Sequence, residues 1–354
     1  MPAKSRITLS DIARQTGVTR MAVSLALRDK VGVSGETRKR VLAVAGKLGY
    51  RPDPEIANLM ARIRLKTAPK TKSCLALLTA GPVSEGSKRS ITERKYVQGI
   101  ISRAKEYGYR IEEFVIDGGT NAARIGNILW SRGIEGVIIR PLQYGLTDDA
   151  SHSIHLDLCR ISAVAISETL ESPELDRSLH DQYTSMLKVL GELTALNYKR
   201  IGLVLEEELN VRVNGRWTAA YVQHPYRSGG KRLPPPLILP GPSQAAFGRW
   251  FDRYRPDVIV SVARFGIRLI EQRGLAVPGE IGYASLDLDG DMPEYEGLSG
   301  IDQNSHMVGA AAVDMLVGAI QRGQRGVPLH PVRIEVEGMW RHGTSTARQD
   351  RSKP

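Results

Sequence analysis

The chain has 354 residues, 42% of them hydrophobic and 25% charged, and 49 Lys and Arg against 38 Asp and Glu give a formal net charge of +11. Residues 1–72 hold 16 Lys and Arg and 5 Asp and Glu, so the whole +11 sits there; residues 73–354 hold 33 of each and are neutral. A basic head on a neutral body excludes a uniformly basic, RNA-coating protein and points to a polyanion as partner of the head alone.

The first predicted element is a helix from about Leu9 to Thr16, capped by Ser10 or Thr8, with Leu9, Ile12 and Ala13 facing inward. Gly17 supplies a tight turn, and Thr19 is a good N-cap for a second helix ending near Leu27, with Val23, Ala26 and Leu27 inside. A third helix starts at Ser34 with the capping-box spacing Ser34-x-x-Thr37, although Thr37 only partly replaces the usual Glu. Val41, Leu42, Val44, Ala45 and Leu48 form its apolar face. Two helices joined by a glycine turn make a helix-turn-helix, and Ala13-x3-Gly17-x5-Val23 is its packing triad.

The outer face of the second helix carries Arg20, Met21, Ser24, Leu25 and Arg28. An α-helix fits the major groove, and Arg20 is the expected base reader because a guanidinium forks onto guanine O6 and N7. Met21 and Leu25 either touch a thymine methyl or pack on a neighbouring helix. Ser24, Thr19 and Thr37 are expected phosphate donors, which fix register without reading sequence; Thr8 and Tyr50 complete the expected DNA-contacting set. After Tyr50-Arg51-Pro52-Asp53-Pro54, the stretch 55–64 reads as a short helix capped by Asp53, with Pro54 at its first position. At eight to ten residues it falls below the roughly 12–15 that an isolated helix needs, so a partner must order it.

ITLSDIARQTGVTRMAVSLALRD…VSGETRKRVLAVAGKLGYRPD closely resembles the headpiece of the LacI/GalR family of bacterial transcription regulators, strongly over residues 7–59 and more diffusely beyond. The resemblance implies a hinge helix after Tyr50. Two hinge helices of a homodimer would enter the minor groove, with Leu59 as an apolar wedge at the central base step. Ile56 departs from the family's usual Ala, and Leu25 stands where several relatives carry Arg.

From residue 73 short apolar runs alternate with helical patterns. Strands are predicted at 74–78, 111–116, 136–139, 163–166, 201–205, 237–239, 258–262 and 281–286. Helices are predicted near 93–107, 121–132, 182–196, 244–254, 264–273 and 305–321. Such alternation means parallel sheets covered on both faces, and eight strands imply two lobes with a ligand cleft at the strands' carboxyl ends. Leu233–Pro242, with five prolines, reads as a surface loop around a short strand.

The family resemblance gives the body the fold of a periplasmic sugar-binding protein, carried by Leu179-His-Asp181-Gln-Tyr183, Val277-Pro-Gly-Glu-Ile281 and Gly309-x2-Ala312-Val-x2-Leu316. It implies three crossings between lobes, expected near Ser167, Leu298 and Arg325. The expected fold is thus an all-α helix-turn-helix headpiece (1–49), a hinge helix and linker (50–72) and an α/β effector domain of two Rossmann-like lobes (73–345). Lobe 1 is placed at about 73–167 and 298–325, lobe 2 at about 168–297 and 326–345, with a loose polar tail over 346–354. The implied ligand residues are Arg212, with Arg216 as its rival, Trp217, Asp287 and Gln303; Asp181 reads as a helix cap. One departure matters: after 258–262 relatives show Asn-Asp, whereas this chain reads Ser261-Val-Ala-Arg264-Phe265, a change toward an anionic or larger ligand.

No G-x-G-x-x-G, phosphate loop, nucleophile elbow or H-E-x-x-H occurs, so no enzyme, cofactor or metal is expected. His152 and His155 lack the neighbours of a metal site and read as a solvated loop. No stretch of about 18 apolar residues appears, the N-terminus lacks a signal-peptide core, and Cys74 and Cys159 read as buried thiols, so a cytoplasmic protein without membrane contact is expected. The expected protein is a dimeric repressor of double-stranded, pseudo-palindromic operator DNA, controlled by a small effector that the family resemblance implies to be a carbohydrate. A solute-binding module without DNA function is the alternative, and the basic head opposes it.

Overall fold

A computed structural model of the chain describes residues 7–27, 32–50, 73–80, 91–116, 122–141, 153–228, 233–262, 264–288 and 295–349. It divides into two units, Met1–Pro69 and Lys70–Pro354. In the first, α1 (Leu9–Thr16), α2 (Arg20–Leu27) and α3 (Gly35–Leu48) close around Ile12, Val23, Ala26, Val41 and Ala45. Gly17 ends α1 at φ 69°, a left-handed conformation that an L side chain rarely adopts, and so lets the chain turn within three residues. Leu42, expected inside, is 48% exposed, because one turn-wide stripe of α3 suffices for so small a core. The predicted hinge helix, with Ile56 and Leu59, lies outside the described residues, as does Arg28.

The second unit holds two six-stranded sheets. The first is ordered β11-β5-β4-β3-β1-β2, with β1 Cys74–Ala80, β2 Arg110–Ile116, β3 Gly136–Ile139, β4 Ser162–Ile166, β5 Asp176–His180 and β11 Arg333–Val336, all parallel. The second is ordered β12-β10-β9-β8-β6-β7, with β6 Ile201–Glu206, β7 Leu237–Leu239, β8 Val258–Ser261, β9 Gly282–Ser285, β10 Ser299–Asp302 and β12 Met339–Arg341. Only the β10–β12 pairing among these is antiparallel. Helices α4 (Ile91–Glu106), α5 (Ala122–Ser131) and α11 (Ser305–Arg322) belong to the first lobe. Helices α6 (Gln182–Ala195), α7 (Glu207–Arg212), α8 (Arg216–Ser228), α9 (Gln244–Tyr254) and α10 (Phe265–Gln272) belong to the second.

Central strands read as continuous apolar runs because both faces are buried, as in GVII of β3 and VIVS of β8. Helices α4 and α11 cross backbone to backbone at a reciprocal glycine pair. A Cβ on Gly99 would lie 1.9 Å from the His306 carbonyl oxygen, and one on Gly309 would lie 2.1 Å from that of Tyr96. Any side chain at either position forces the two helices apart.

Four strands escaped the sequence reading, and they move the crossings. The chain passes between lobes at Asp181, at 303–304 and at 337–338, each after a short polar strand (β5, β10, β11) rather than before it at Ser167, Leu298 and Arg325. The tail also differs from the loose segment expected. Gln349 donates its backbone N–H to the Leu196 carbonyl at 2.9 Å, and Ala347 N–H donates to Tyr198 Oη at 3.1 Å, so 346–349 is tied to the second lobe. Of the two free cysteines, Cys74 is half-buried and Cys159 exposed, because Cys159 sits in a turn after Asp157 and not within an apolar run.

Candidate nucleic-acid interface and ligand cleft

The headpiece presents the N-terminal half of α2 to solvent. Arg20 is exposed and Met21 is 70% exposed, while Ser24 and Leu25 are half-buried. Met21 therefore does not pack on a neighbouring helix within this unit. Thr19 Oγ1 accepts the Ala22 N–H at 3.2 Å and starts the helix, leaving its own proton for an outside acceptor. Ser34 Oγ accepts the Thr37 N–H at 3.2 Å and donates to Thr37 Oγ1 at 2.9 Å, which again leaves the Thr37 proton unspent. Thr8 differs: its hydroxyl and backbone N–H both donate to the Asp11 carboxylate, at 2.7 and 2.9 Å. Those bonds hold the Asp11 carboxyl below the usual carboxylate range. Tyr50 packs its half-buried ring on the headpiece core, and its N–H caps α3 on the Ala45 carbonyl at 3.0 Å.

In the second unit the strands' carboxyl ends are dense in charge. On the first lobe Arg140, just past β3, is buried with Glu93 at 2.8 Å and Thr79 Oγ1 at 3.0 Å. Between the lobes lies a cluster of five. Arg216, at the start of α8, reaches across to Glu168 at 2.8 Å and Glu335 at 2.7 Å. Glu168 is buried and also meets Arg333 at 3.0 Å and Arg177 at 3.6 Å. At the third crossing Lys188 of α6 donates to Glu337 at 2.7 Å and to the Gly338 carbonyl at 2.8 Å. His180, at the first crossing, is buried against Ser185 Oγ at 2.9 Å. Burial pushes its pKa down to about 4, against the opposing pull of the Asp181 charge, so the ring is neutral near pH 7. Asp181 itself caps α6, accepting the Thr184 N–H at 2.9 Å.

A cavity of about 370 Å³ opens at the carboxyl ends of β6, β7 and β8, where the strand order reverses direction about β6. That switch point is where open α/β sheets bind ligands. Glu206, Leu209, Pro242 and Val262 line one part, and Arg264, Phe265, Arg268 and Tyr295 the rest. None of the four expected ligand residues is among them. Trp217 is 3% exposed in the core of the second lobe, with an indole N–H that finds no acceptor among the described residues. Gln303 is 4% exposed and donates Nε2 to the Leu286 carbonyl at 3.0 Å. Asp287 follows β9, its backbone N–H held by Ser285 Oγ at 3.1 Å, and Arg212 closes α7 half-buried. Arg216, the rival of Arg212, faces the other lobe. Sequence reasoning flagged Arg264; it missed Arg268, Glu206 and Tyr295, which only the meeting of separate strand ends brings together. Among the described residues no group of His, Cys, Asp and Glu is placed to hold a metal ion, and no helix is long and apolar enough to cross a membrane.

Residues 8–53 match the family model described as bacterial regulatory proteins, lacI family. The chain is 24% identical to the HTH-type transcriptional regulator PtxS of Pseudomonas plecoglossicida, over 91% of this chain and 92% of that one. It is 25% identical to the HTH-type transcriptional regulator AscG of Escherichia coli, over 79% and 82%. A match at 23% identity to an HTH-type transcriptional regulator of Mycobacterium tuberculosis spans 57% of this chain and only 53% of that protein. Among solved structures, a complex of the transcriptional regulator CelR with cellobiose superposes with a TM-score of 0.56 at 18% identity, covering 96% of this chain and 100% of that one. The lac repressor dimer bound to operator and the anti-inducer ONPF gives 0.54 at 18% identity, covering 97% and 100%. The fold is shared: a helical headpiece and two parallel-sheet lobes, as in periplasmic binding proteins.

Proposed function

Because this chain belongs to the LacI/GalR family of DNA-binding transcriptional regulators, we propose that it is a homodimeric repressor whose grip on a pseudo-palindromic operator is set by a small molecule bound between its lobes. The observation that carries the reading is an exposed helix face headed by Arg20, in the same chain as a two-lobed body whose lobes meet through Arg216, Glu168 and Glu335. Residues 1–49 read the major groove, with Arg20, Met21, Ser24, Leu25 and Arg28 toward the bases and Thr8, Thr19, Thr37 and Tyr50 toward the backbone. Thr8 is the weakest of these as a donor, its proton being held by Asp11. Residues 50–72 form the hinge, with Leu59 as the minor-groove wedge. Residues 73–345 bind the effector and the second subunit, and the protein works in the cytoplasm. The effector is a sugar or sugar derivative, a reading supported by the cellobiose held by one fold neighbour.

Ligand control amounts to a coupling free energy of typically about 1–3 kcal/mol between cleft and operator. The inter-lobe ion pairs are groups on which a change in lobe angle would act. A gel shift against a pseudo-palindromic DNA library tests the reading. Selected sites should show two-fold symmetry, and Arg20→Ala should lose about tenfold or more on a selected site while weak non-specific binding persists. A library that yields no preferred sequence sinks the proposal, and sedimentation that finds only monomer sinks the dimer.

A further inference from the structure

We propose that Arg216 is a reversible latch between the lobes, which sets the angle between them and through it the grip on DNA. The second half of that statement rests on the regulator reading; the first does not. Arg216 opens α8 of the second lobe, and its guanidinium bridges two separate strand ends of the first, Glu168 after β4 at 2.8 Å and Glu335 in β11 at 2.7 Å. Strand β5 lies between those two in the order β11-β5-β4, so one side chain spans the ends of three neighbouring strands. A cation is disfavoured at a helix N-terminus, so α8 gains nothing from an arginine in this place; the carboxylates of the other lobe account for it.

Both sides of the bridge are set in advance. On the first lobe Glu168 follows Ser167, whose φ of 72° is a left-handed conformation that a non-glycine residue rarely adopts. The fold holds it there: the Ser167 N–H donates to the Ser178 carbonyl at 3.0 Å, and its own carbonyl accepts from Arg177 at 3.3 Å. On the second lobe Asn214 and Gly215 are both left-handed, at φ 51° and 63°, and turn the chain from α7 into Arg216. The same geometry makes release inexpensive. When Arg216 leaves, the buried Glu168 keeps Arg333 at 3.0 Å and Arg177 at 3.6 Å, so it is not left as an uncompensated charge. Arg216 and Glu335, 23% and 33% exposed, pass to water. The Arg140–Glu93 pair inside the first lobe is the opposite case, buried on both sides, where parting strands a charge. A bridge that both lobes can lose without stranding a charge suits an element with two arrangements.

The test uses the full chain, spin-labelled at the exposed Cys159 of the first lobe and at Lys199→Cys, an exposed position of the second, on a Cys74→Ala background. Pulsed dipolar spectroscopy reads the distance between the lobes, and a gel shift on a site selected by the wild type reads DNA binding. Arg216→Gln should raise the population of the second lobe arrangement about tenfold, and Glu335→Gln, which removes one of the two partners, should raise it less. Arg216→Lys, which keeps the charge and loses the fork, should fall between wild type and Arg216→Gln. Arg325→Gln breaks a pair within the first lobe and should leave the distances as they are. Operator affinity should change about fivefold or more in Arg216→Gln, and the sign of the change tells which arrangement binds DNA. Should Arg216→Gln fail to fold, Glu335→Gln carries the test, because it strands no buried charge. Distances that match the wild type overturn the latch. Distances that move while operator affinity holds overturn its part in DNA binding. If the wild type selects no site at all, the regulator reading fails, and distances that move still establish the latch.

Discussion

In the headpiece Arg20, Lys39 and Arg40 stand exposed, and the ion pair found among its described residues is the exposed one of Asp11 with Arg14. In the body, cations are matched to carboxylates: Arg140 to Glu93, Arg177 and Arg333 to Glu168, Arg216 to Glu168 and Glu335, Lys188 to Glu337 and Arg325 to Glu135. Net charges of +11 and zero thus separate two uses of arginine. One region leaves it facing solvent. The other neutralises it internally, and several of its pairs join segments more than 100 residues apart. A neutral region is not a charge-poor one.

Salt should expose the contrast most strongly. If the headpiece contacts about six phosphates, raising salt from about 50 to 200 mM weakens operator binding roughly a thousandfold. Thermal unfolding of the body, where the Arg140–Glu93 and Arg177–Glu168 pairs are buried, should respond far less. Operator affinity that stays flat would break the comparison at once. Next in size is Glu93→Ala. It leaves the buried Arg140 guanidinium with Thr79 Oγ1 as its remaining described partner, and removal of one member of a buried pair costs about 3–5 kcal/mol. Chemical denaturation measures it. Glu93→Leu with Arg140→Met should recover most of the loss, and failure to recover would mean that the pair does more than neutralise itself.

The same distinction explains what was legible in the sequence. The headpiece helices followed from caps and a 3.6-residue period: Thr8, Thr19 and Ser34 stand where they were expected. Leu42 was misplaced because Val41, Val44, Ala45 and Leu48 already complete the stripe that a three-helix core can cover. In the body the apolar strands were legible and β5 was not. Asp176-Arg-Ser-Leu-His180 is polar yet wholly buried, and much of its polarity is met from outside the strand: Asp176 accepts the Val332 N–H at 2.8 Å, Ser178 donates to the Val308 carbonyl at 2.8 Å and Arg177 donates to the nearer Leu170 carbonyl at 3.1 Å. Periodicity carries no trace of partners 130 or more residues away, so the crossings slipped with the missed strands. The ligand residues failed to assemble for a related reason. A match at one strand end locates a position, while a cavity is made by several ends at once. Trp217 is the example, a plausible aromatic wall in sequence and a core residue in the fold.

Acidification gives a third test, of medium size. All seven histidines lie beyond residue 72, so a histidine-linked loss of stability belongs to the body. For His180 the folded pKa, about 4, lies below the ordinary 6.5. Between those values the unfolded chain takes up a proton that the folded one refuses. Stability is therefore full above pH 6.5 and falls as pH drops toward 4, by roughly 3 kcal/mol at most. His180→Gln should flatten that part of the profile. Identical profiles for variant and wild type would mean that the ring is not held neutral by burial.

The smallest effect sharpens the comparison furthest. Ser34→Ala removes the side-chain acceptor of the Thr37 N–H and with it the cap of α3, worth about 1 kcal/mol. Five buried residues form the headpiece core, so that loss is a large share of what holds it. Amide exchange at Val41 and Ala45 should quicken about fivefold, whereas Leu203 and Ile259, at the centre of the second lobe's sheet, should not change. Exchange that quickens equally in both places would show the two units opening as one. The basic head would then be no separate folding unit, and a difference in charge would have been mistaken for a difference in construction.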